Sequence, residues 1–391
     1  MKFLLLTELY DPVVGGPVTY ARETCRALAA QGHELTLVAP GTGAKGGLSI
    51  QETDFGQLLQ IGIDHPMGSE YPRHLKYYFT EQVNRHLPEW ATAGRGEAVH
   101  ILYGAFLTEK LDLAYLRRQG IPAGTTVHNV PPAECSTSWR EDAPWRYWKD
   151  RARKRGVRWI NKRRLTAQRF DRYVTPSRIV RELLRTYLPE VDIHVIGHGG
   201  QPVEPQLPRA YDDGLKILTV GGLVPHKNQH LIPSIGAELA RRGIEFQWDI
   251  IGPPRNDRYA RHVADQIARQ KMTERVHLRG AVDNATLAEA HRTANLFVQP
   301  SSEEGFCMTA LDAAFCGLPL IGAPAGAIPE IIADSAGILT EALAGSLADA
   351  IAHFAAIPQE FQSSPSILET LKVKYSWSSA VNALTELYAH G

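Results

Sequence analysis

Two carboxylates, Glu304 and Asp312, stand in an otherwise small and apolar segment, SSEEGFCMTALDAAFCGLPLIG at residues 301–322. We predict that a loop carries Glu304 and that a helix from about Cys307 to Phe315 carries Asp312. Eight helical residues span about 12 Å, which is close to the separation of a hexose and a ribose joined by two phosphates. Carboxylates accept hydrogen bonds from sugar hydroxyls, and the amides of a helix N-terminus bind phosphate oxygens. The segment therefore suits a ligand with two sugars and a diphosphate.

A structural explanation of the same two residues stays open. Glu304 would cap the helix, and Asp312 would form an ion pair with a basic neighbour. Under that interpretation neither residue meets a ligand.

Two glycine turns follow predicted strands, one in each half of the chain. DPVVGGPVTYARE contains Gly15 and Gly16, and TVGGLVPHKNQHL contains Gly222 and Lys227. Glycine lets backbone amides approach a ligand closely, and the helix N-terminus behind each turn favours an anion. A lysine at such a position is well placed to meet a diphosphate. The alternatives are a tight turn for the glycines and a solvated side chain for the lysine.

Two absences restrict the chemistry. The first loop lacks G-x-G-x-x-G spacing and no acidic residue ends the second predicted strand, LVAP, so a nicotinamide dehydrogenase is disfavoured. No D-x-D sequence occurs in the chain, so we do not expect a metal-held diphosphate of that kind. The expected site has no metal and no cofactor other than the donor substrate.

Alternating strands and helices position these residues. In the first half, helices are predicted from about Val18 to Ala30 and around 74–87, while the rest of 41–96 shows no clear periodicity. The predicted strands lie at 2–7, 34–39, 98–104, 124–129, 172–177, 192–199, 215–222, 246–252, 275–280, 295–301 and 318–324. Further helices are predicted from about Asn228 and near 257–270. Strands separated by helices imply parallel sheets covered on both faces.

The alternation restarts after a proline-rich linker at 201–214. We therefore predict an α/β protein with two doubly wound, Rossmann-like domains, at 1–203 and 204–375. In such sheets ligands bind beyond the carboxyl ends of the strands, which places the expected site in a central cleft between the domains.

Composition excludes some partners and locations. Lys+Arg and Asp+Glu are equal at 42 each among 391 residues, so no overall field recruits nucleic acid. The four cysteines form no C-x-x-C pair and no run of apolar residues is long enough to span a bilayer. We expect a cytoplasmic protein, either free or peripheral to the inner face of a membrane.

The stretch 139–164 is rich in tryptophan, lysine and arginine. It is either a solvated helix with an aromatic inner stripe or a basic aromatic surface for an anionic or lipid-linked acceptor.

Taken together, the motifs resemble those of the retaining nucleotide-sugar glycosyltransferases of family 4. The motifs are GGP…Y at 15–20, TTVHN at 125–129, VTPS at 174–177, VGGLVPHKN at 220–228, FVQPSSEEGFCMTALDAAFCGLPLI at 297–321 and GAIPEII at 326–332. The resemblance implies the GT-B arrangement of two Rossmann-like domains. It also implies that a C-terminal helix, at 376–391, crosses back to the first domain.

The resemblance also implies roles for individual residues. Glu304 and Asp312 occupy the family's E-x7-E positions, so Glu304 would contact the transferred sugar and Asp312 the ribose. Lys227 would bind the diphosphate and His128 would lie by the reacting sugar, which makes His128, Lys227 and Glu304 the expected catalytic residues. The expected donor-binding residues are Gly15, Gly16, Gly222, Lys227, Glu304, Gly305, Phe306, Cys307, Met308 and Asp312.

Two residues depart from the family pattern. Gly222 stands where the family has arginine in G-R-L-x-x-x-K, and Asp312 is one methylene shorter than the family's glutamate. Arg255 and Arg279 are candidates to replace the missing arginine.

The function expected from the resemblance is metal-independent, retaining transfer of a hexose-type sugar from a nucleotide-diphosphate sugar to an acceptor hydroxyl. The acceptor would be a small molecule, a glycan or a lipid-linked group. The alternatives are a non-catalytic sugar-nucleotide-binding protein, or a related nucleotide-sugar epimerase or phosphorylase.

Overall fold

The computed structural model describes the whole chain except residues 14, 67–70, 93–97, 131–155, 157–158, 201–206, 208–210, 212–213 and 390–391. It divides into two compact units. The first unit comprises Met1–Val130, Lys154–Gly199 and Trp377–Gly391, and the second includes Gly200–Ser376. Most of the predicted linker at 201–214 and of the basic stretch at 139–164 lies outside the described residues.

The first unit is built on one twisted sheet with the strand order β3-β4-β2-β1-β5-β6-β7-β8. All neighbouring pairs are parallel except the antiparallel pair of β3 and β4. The strands are β1 (Lys2–Thr7), β2 (Glu34–Gly41), β3 (Leu48–Thr53), β4 (Gly56–Gly62), β5 (Ala98–Tyr103), β6 (Ala123–Thr126), β7 (Arg172–Thr175) and β8 (Ile193–Val195). Strands β3 and β4 fill the part of 41–96 for which no strand was predicted.

Helices connect these strands. They are α1 (Gly16–Ala30), α2 (Arg73–Trp90), α3 (Ala105–Lys110), α4 (Leu113–Arg118) and α5 (Arg178–Arg185). Helix α1 buries Val18, Ala21, Cys25 and Leu28. This spacing places them on one face, which packs on the sheet. The two helices predicted in this half are therefore confirmed, with α1 beginning at Gly16.

The C-terminal helix (Trp377–Ala389) belongs to the first unit. The Tyr388 hydroxyl forms a 2.7 Å hydrogen bond with Nδ1 of His100, and its ring packs edge-on against Phe3 with centroids 5.6 Å apart. Nε of Arg172 donates to the carbonyl of Leu387. These contacts confirm that the last helix returns to the first domain.

The second unit has a fully parallel sheet in the order β11-β10-β9-β12-β13-β14. Its strands are β9 (Leu215–Val220), β10 (Phe246–Ile251), β11 (Val276–Gly280), β12 (Leu296–Gln299), β13 (Leu320–Gly322) and β14 (Gly337–Leu339). Its helices are α6 (Ile232–Arg241), α7 (Asp257–Arg269), α8 (Asn284–Thr293), α9 (Met308–Phe315), α10 (Ile328–Asp334), α11 (Ala344–Ala356) and α12 (Pro365–Lys374). The predicted α/β class with two doubly wound domains is confirmed.

Both faces of this second sheet are buried, as a parallel sheet requires. One core forms around Trp248 and Ile250, and the other around Leu218, Phe297 and Phe315. Within the described residues, no helix is both long and apolar enough to cross a bilayer.

Candidate active site

The second sheet has its switch point between β9 and β12. Successive strands run outward from β9 in one direction and from β12 in the other. Ligands of doubly wound sheets bind at this point, beyond the carboxyl ends of the strands. The chain here carries Gly221 and Gly222 after β9, and Glu303 and Glu304 after β12. The predicted second glycine turn and the carboxylate segment therefore meet at one edge of the sheet.

The glycine turn after β9 packs backbone to backbone against the loop after β10. The amide of Leu223 donates to the carbonyl of Pro253 at 2.9 Å, and that of Gly221 donates to Ile251 at 2.8 Å. A Cβ on Gly252 would lie 2.1 Å from the carbonyl oxygen of Gly221. Glycine is needed here because the two loops are too close to admit a side chain.

Lys227 lies in a short 3-10 turn, Pro225–Lys227, rather than at the start of a helix. The next residue, Asn228, is fully buried in the left-handed conformation with φ 54°. Its side-chain amide donates to the carbonyl of Pro300 at 3.0 Å, which ties this turn to the end of β12. A second 3-10 turn, Gln229–Leu231, follows Asn228 and leads directly into the α-helix that begins at Ile232, so helical structure starts close to the predicted Asn228.

Lys227 and Glu304 form a close ion pair. Nζ of Lys227 lies 2.5 Å from Oε1 of Glu304, and their side chains are only 15% and 9% exposed. Nε2 of Gln299 donates to the same carboxylate oxygen at 3.2 Å. Burial opposes both charges, but their mutual attraction outweighs it, so the pKa of Lys227 lies above and that of Glu304 below the usual value.

The ion pair joins two residues that the sequence analysis assigned to different parts of the donor. Motif reasoning also missed Gln299, whose position at the end of a buried strand was the available signal. Lysine has three N–H donors, so its bond to Glu304 leaves two that can reach a phosphate. The pair can thus bind an anion beside a fixed carboxylate.

Helix α9 begins at Met308, one residue later than predicted, because Cys307 is left-handed with φ 80°. The chain from Glu304 to Asp312 is therefore not one helix, so helical rise alone does not set the separation of the two carboxylates. The helical part from Met308 to Asp312 rises only about 6 Å. The amides of Met308 and Thr309 make no hydrogen bond to any described residue. These unbonded donors form an anion-binding end.

Asp312 is half-buried on α9. Burial raises the pKa of its carboxyl to about 7. Its side chain forms no hydrogen bond or ion pair with any described residue. Glu304 is not a helix cap either, since Cys307 holds that position and provides no side-chain bond. Neither part of the structural explanation is therefore seen in the described part of the chain.

The loop before α9 is held by close packing. Phe306 and Cys307 are buried, and the carbonyl of Phe306 accepts from the amide of Ala327 at 3.1 Å. A Cβ on Gly326, where φ is +55°, would lie 2.7 Å from the carbonyl oxygen of Gly305. Burial and the charge of Glu304 raise the pKa of the Cys307 thiol to about 12, so it stays protonated.

Gly222 lies beside Arg255. A Cβ on Gly222 would lie 2.8 Å from Cγ of Arg255. Arg279, the other candidate to replace the missing arginine, pairs with Asp249 at 2.7 Å.

In the first unit, His128 lies two residues after β6. Its Nε2 donates to the carbonyl of Leu102 at 2.6 Å, and its ring packs edge-on against Tyr20. Burial lowers the pKa of His128 to about 4, so the ring is neutral at pH 7. Because Nε2 holds the proton, Nδ1 is left as an acceptor. A neutral acceptor suits a sugar hydroxyl and does not suit a general acid.

The first glycine turn also opens a helix. Gly15 is the N-cap of α1, and no side chain caps that end. A Cβ on Gly16 would meet no atom within 4 Å, so packing does not require a glycine there.

Glu8 was not predicted as a site residue. It follows β1 directly and is buried, and its Oε1 accepts from the amides of Phe106 and Leu107 at 2.7 and 2.8 Å. Burial raises its pKa to about 7. Its charge immediately after an apolar strand was the signal in the sequence.

Among the described residues, no group of three or more His, Cys, Asp or Glu side chains is placed to hold a metal ion.

Comparison with known proteins identifies relatives of both halves. Residues 14–200 match the model of Glycosyltransferase Family 4, and residues 214–356 match that of Glycosyl transferases group 1. The chain is 25% identical over 354 residues to a D-inositol 3-phosphate glycosyltransferase of Frankia alni, covering 77% of this chain and 83% of that protein. It is 26% identical over 179 residues to one of the subunits of the human phosphatidylinositol N-acetylglucosaminyltransferase, covering 45% of this chain and 36% of that protein.

A solved structure shares the fold over the full length. The Anabaena protein HepE, crystallised with UDP and glucose, superposes with a TM-score of 0.70 at 15% identity, covering 100% of this chain and 99% of that one. At this identity the likeness concerns the fold alone. Together the two family models cover both halves of the chain, so residues 14–200 form a Glycosyltransferase Family 4 domain and residues 214–356 form a Glycosyl transferases group 1 domain.

Proposed function

We propose that this glycosyltransferase moves a hexose-type sugar from a nucleotide-diphosphate sugar to an acceptor hydroxyl, with retention of anomeric configuration and without a metal ion. The proposal rests on the groups found at the carboxyl ends of the strands in the second unit. There the Lys227–Glu304 pair, the first amides of α9 and the Asp312 carboxylate follow strands on either side of the switch point, β9 and β12. Among the described residues, neither these amides nor the Asp312 carboxylate has a hydrogen-bond partner.

Each donor group has a matching protein group. The diphosphate would accept hydrogen bonds from Lys227 and from the amide of Met308. The ribose hydroxyls would donate to Asp312, which lacks a partner among the described residues. The transferred sugar would contact Glu304, held in place by Lys227 and Gln299.

The proposed reaction is a front-face substitution. The acceptor oxygen bonds to the anomeric carbon on the face from which the diphosphate departs, while the bond from that carbon to the phosphate oxygen breaks. The acceptor proton passes to the departing phosphate oxygen, so configuration is retained and no protein base is needed. Lys227 and the α9 amides stabilise the negative charge that develops on the diphosphate. For His128, the proposed contact is a hydrogen bond accepted from the sugar by Nδ1.

The acceptor class is proposed from the relatives. Both relatives described above are named for inositol-containing substrates, one an inositol phosphate and the other a phosphatidylinositol. An inositol phosphate is therefore the first acceptor to test, and a phosphatidylinositol in vesicles is the lipid-linked comparison.

A thermal-shift panel with UDP-, GDP-, ADP- and TDP-sugars tests donor binding. A ligand that binds only the folded protein stabilises it by about 2.7 kcal/mol at one hundred times its dissociation constant. The donor so identified is then incubated with each acceptor, and the anomeric configuration of the product is read by NMR.

The expected result is stabilisation by one base and release of its nucleoside diphosphate as product forms. Binding without transfer or slow donor hydrolysis would indicate a non-catalytic binding protein. Conversion of the bound sugar without release of nucleoside diphosphate would indicate an epimerase. An inverted product would overturn the retaining mechanism.

A further inference from the structure

We propose that Arg255 provides a second cationic contact to the donor's diphosphate, through the space that Gly222 leaves open. This inference deepens the proposed function and rests on it. It assigns to the loop after β10 a binding role that the motifs place in the loop after β9.

The geometry begins with the close approach of two loops. The glycine turn at 221–222 is bonded to the loop after β10 through the amide of Leu223 and the carbonyl of Pro253, 2.9 Å apart. Arg255 lies in that loop, just before Asn256, which caps α7. Its Cγ is 2.8 Å from the point where a Cβ on Gly222 would lie. Real Cβ contacts are longer than this, so a side chain at 222 and the present position of Arg255 exclude each other.

The side chain of Lys227 passes over the other glycine of this turn, Gly221. Its Nζ is 3.6 Å from the point where a Cβ on Gly221 would lie. The aliphatic parts of Lys227 and Arg255 therefore pass over adjacent glycines, at the carboxyl ends of the neighbouring strands β9 and β10. Two cationic side chains over one open glycine turn are suited to a ligand with two adjacent phosphates.

The charges of the Lys227–Glu304 pair indicate why a second cation would be needed. The ammonium of Lys227 is already matched by the carboxylate of Glu304 at 2.5 Å. The pair is neutral overall, whereas a leaving diphosphate gains negative charge during the reaction. Arg255 adds a permanent positive charge, because guanidinium does not lose its proton in proteins.

Arg279 does not fit the same role. It lies on the edge strand β11, and its Nε donates to Asp249 at 2.7 Å. Because β10 separates β11 from β9, Arg279 lies one strand farther from the glycine turn than the loop that carries Arg255.

The test measures binding of UDP, GDP and ADP by isothermal titration to the full chain and its variants. For the nucleoside diphosphate that binds most tightly, Arg255→Ala should raise the dissociation constant roughly tenfold to a hundredfold, the range for loss of a charge-assisted hydrogen bond. Arg261→Ala is the matched control. It removes the same charge from an exposed position on α7 and should change affinity less than twofold.

A double-variant cycle isolates the role of Gly222. Gly222→Ala should weaken binding by displacing Arg255. In the Arg255→Ala background it should cause little further loss of affinity. Gly222→Arg combined with Arg255→Ala should recover most of the affinity, since the new arginine occupies the vacated space.

The outcomes separate this inference from the proposed function. If none of the nucleoside diphosphates binds the wild-type chain, the proposed function fails. If one binds and Arg255→Ala leaves its affinity unchanged, or if the losses from Gly222→Ala and Arg255→Ala multiply, only the role of Arg255 is overturned. Circular dichroism and thermal unfolding of each variant verify that the fold is intact.

Discussion

At the scale of single residues, the contact between Lys227 and Glu304 controls how charge is distributed in the proposed donor site. Both side chains are almost fully buried. A buried ion pair that loses one partner leaves an uncompensated charge, which costs about 3–5 kcal/mol. Variants at either position therefore affect the partner as well as the ligand, and an isosteric substitution is more informative than alanine.

Glu304→Gln should reduce transfer by at least about a hundredfold while nucleoside diphosphate binding stays the same or tightens. The amide still accepts a hydrogen bond from Lys227, but it no longer neutralises the ammonium, so more positive charge faces the phosphates. Turnover and titration with the diphosphate measure the two effects separately. Wild-type turnover in this variant would remove Glu304 from the catalytic residues.

Asp312 gives the site a pH dependence near neutrality. Burial raises its pKa from 3.8 to about 7 in the ligand-free chain. Ionising it in the folded state therefore costs stability progressively as pH rises from about 4 to 7. Ribose hydroxyls bind an ionised carboxylate better than a protonated one. Nucleoside diphosphate affinity should therefore rise as pH increases from 6 to 8, by at most about tenfold per pH unit.

Asp312→Asn is the control for that pH dependence. The amide cannot ionise, so the difference between the two slopes measures the contribution of Asp312 alone. Titration at several pH values with both proteins compares the two slopes. Equal slopes would show that Asp312 does not meet the ribose.

At the scale of elements, periodicity in the sequence identified most strands and the long helices, because their apolar residues face a core. It did not find the local breaks. The left-handed Asn228 and Cys307 are neither glycine nor part of an apolar pattern, yet they determine where the neighbouring helices begin. Their conformations depend on tertiary contacts, such as the bond from Asn228 to Pro300 across 72 residues. Sequence reasoning therefore predicted the segments that carry the proposed donor site but missed how they are joined.

The packing of the C-terminal helix on the first sheet leads to a prediction for Gly124. A Cβ there would lie 2.1 Å from the hydroxyl of Tyr388 and 2.8 Å from Nδ1 of His100. Gly124→Ala should therefore destabilise the fold by about 1–3 kcal/mol, the usual cost of overpacking. Adding Tyr388→Phe removes the nearer clash and should recover part of the loss, although it also removes the bond to His100.

Gly345→Ala is the control for that experiment. A Cβ at Gly345, in α11, would meet no atom within 4 Å, and alanine favours a helix over glycine by about 0.5–1 kcal/mol. It should be neutral or stabilising in denaturant unfolding. An unchanged unfolding midpoint for Gly124→Ala would mean that the last helix shifts to accommodate the added methyl group at little cost in stability.

At the scale of the whole molecule, the two units share one topological feature. In each sheet the switch point places a similar feature, a loop with a carboxylate, beyond the strand ends: Glu8 after β1 and Glu304 after β12. Their partners differ, since Glu8 accepts backbone amides and Glu304 pairs with Lys227. The order of strands and helices predicted the two sheets and the family motifs predicted the reaction class. The partners of each carboxylate come from distant segments, which no local pattern specifies.

Negative charge develops on the diphosphate as the donor bond breaks, and the whole site must stabilise it. No D-x-D sequence is present, and the proposed site meets the diphosphate with Lys227, the α9 amides and Arg255. These groups supply fixed positive potential where negative charge develops, which is the role that a divalent ion would otherwise have. Transfer should therefore retain its rate in EDTA and gain less than about twofold from magnesium or manganese. Turnover measured across a titration of each ion, with and without chelator, tests this. A rate that vanishes in EDTA and returns with either ion would show that protein charge alone does not stabilise the leaving diphosphate.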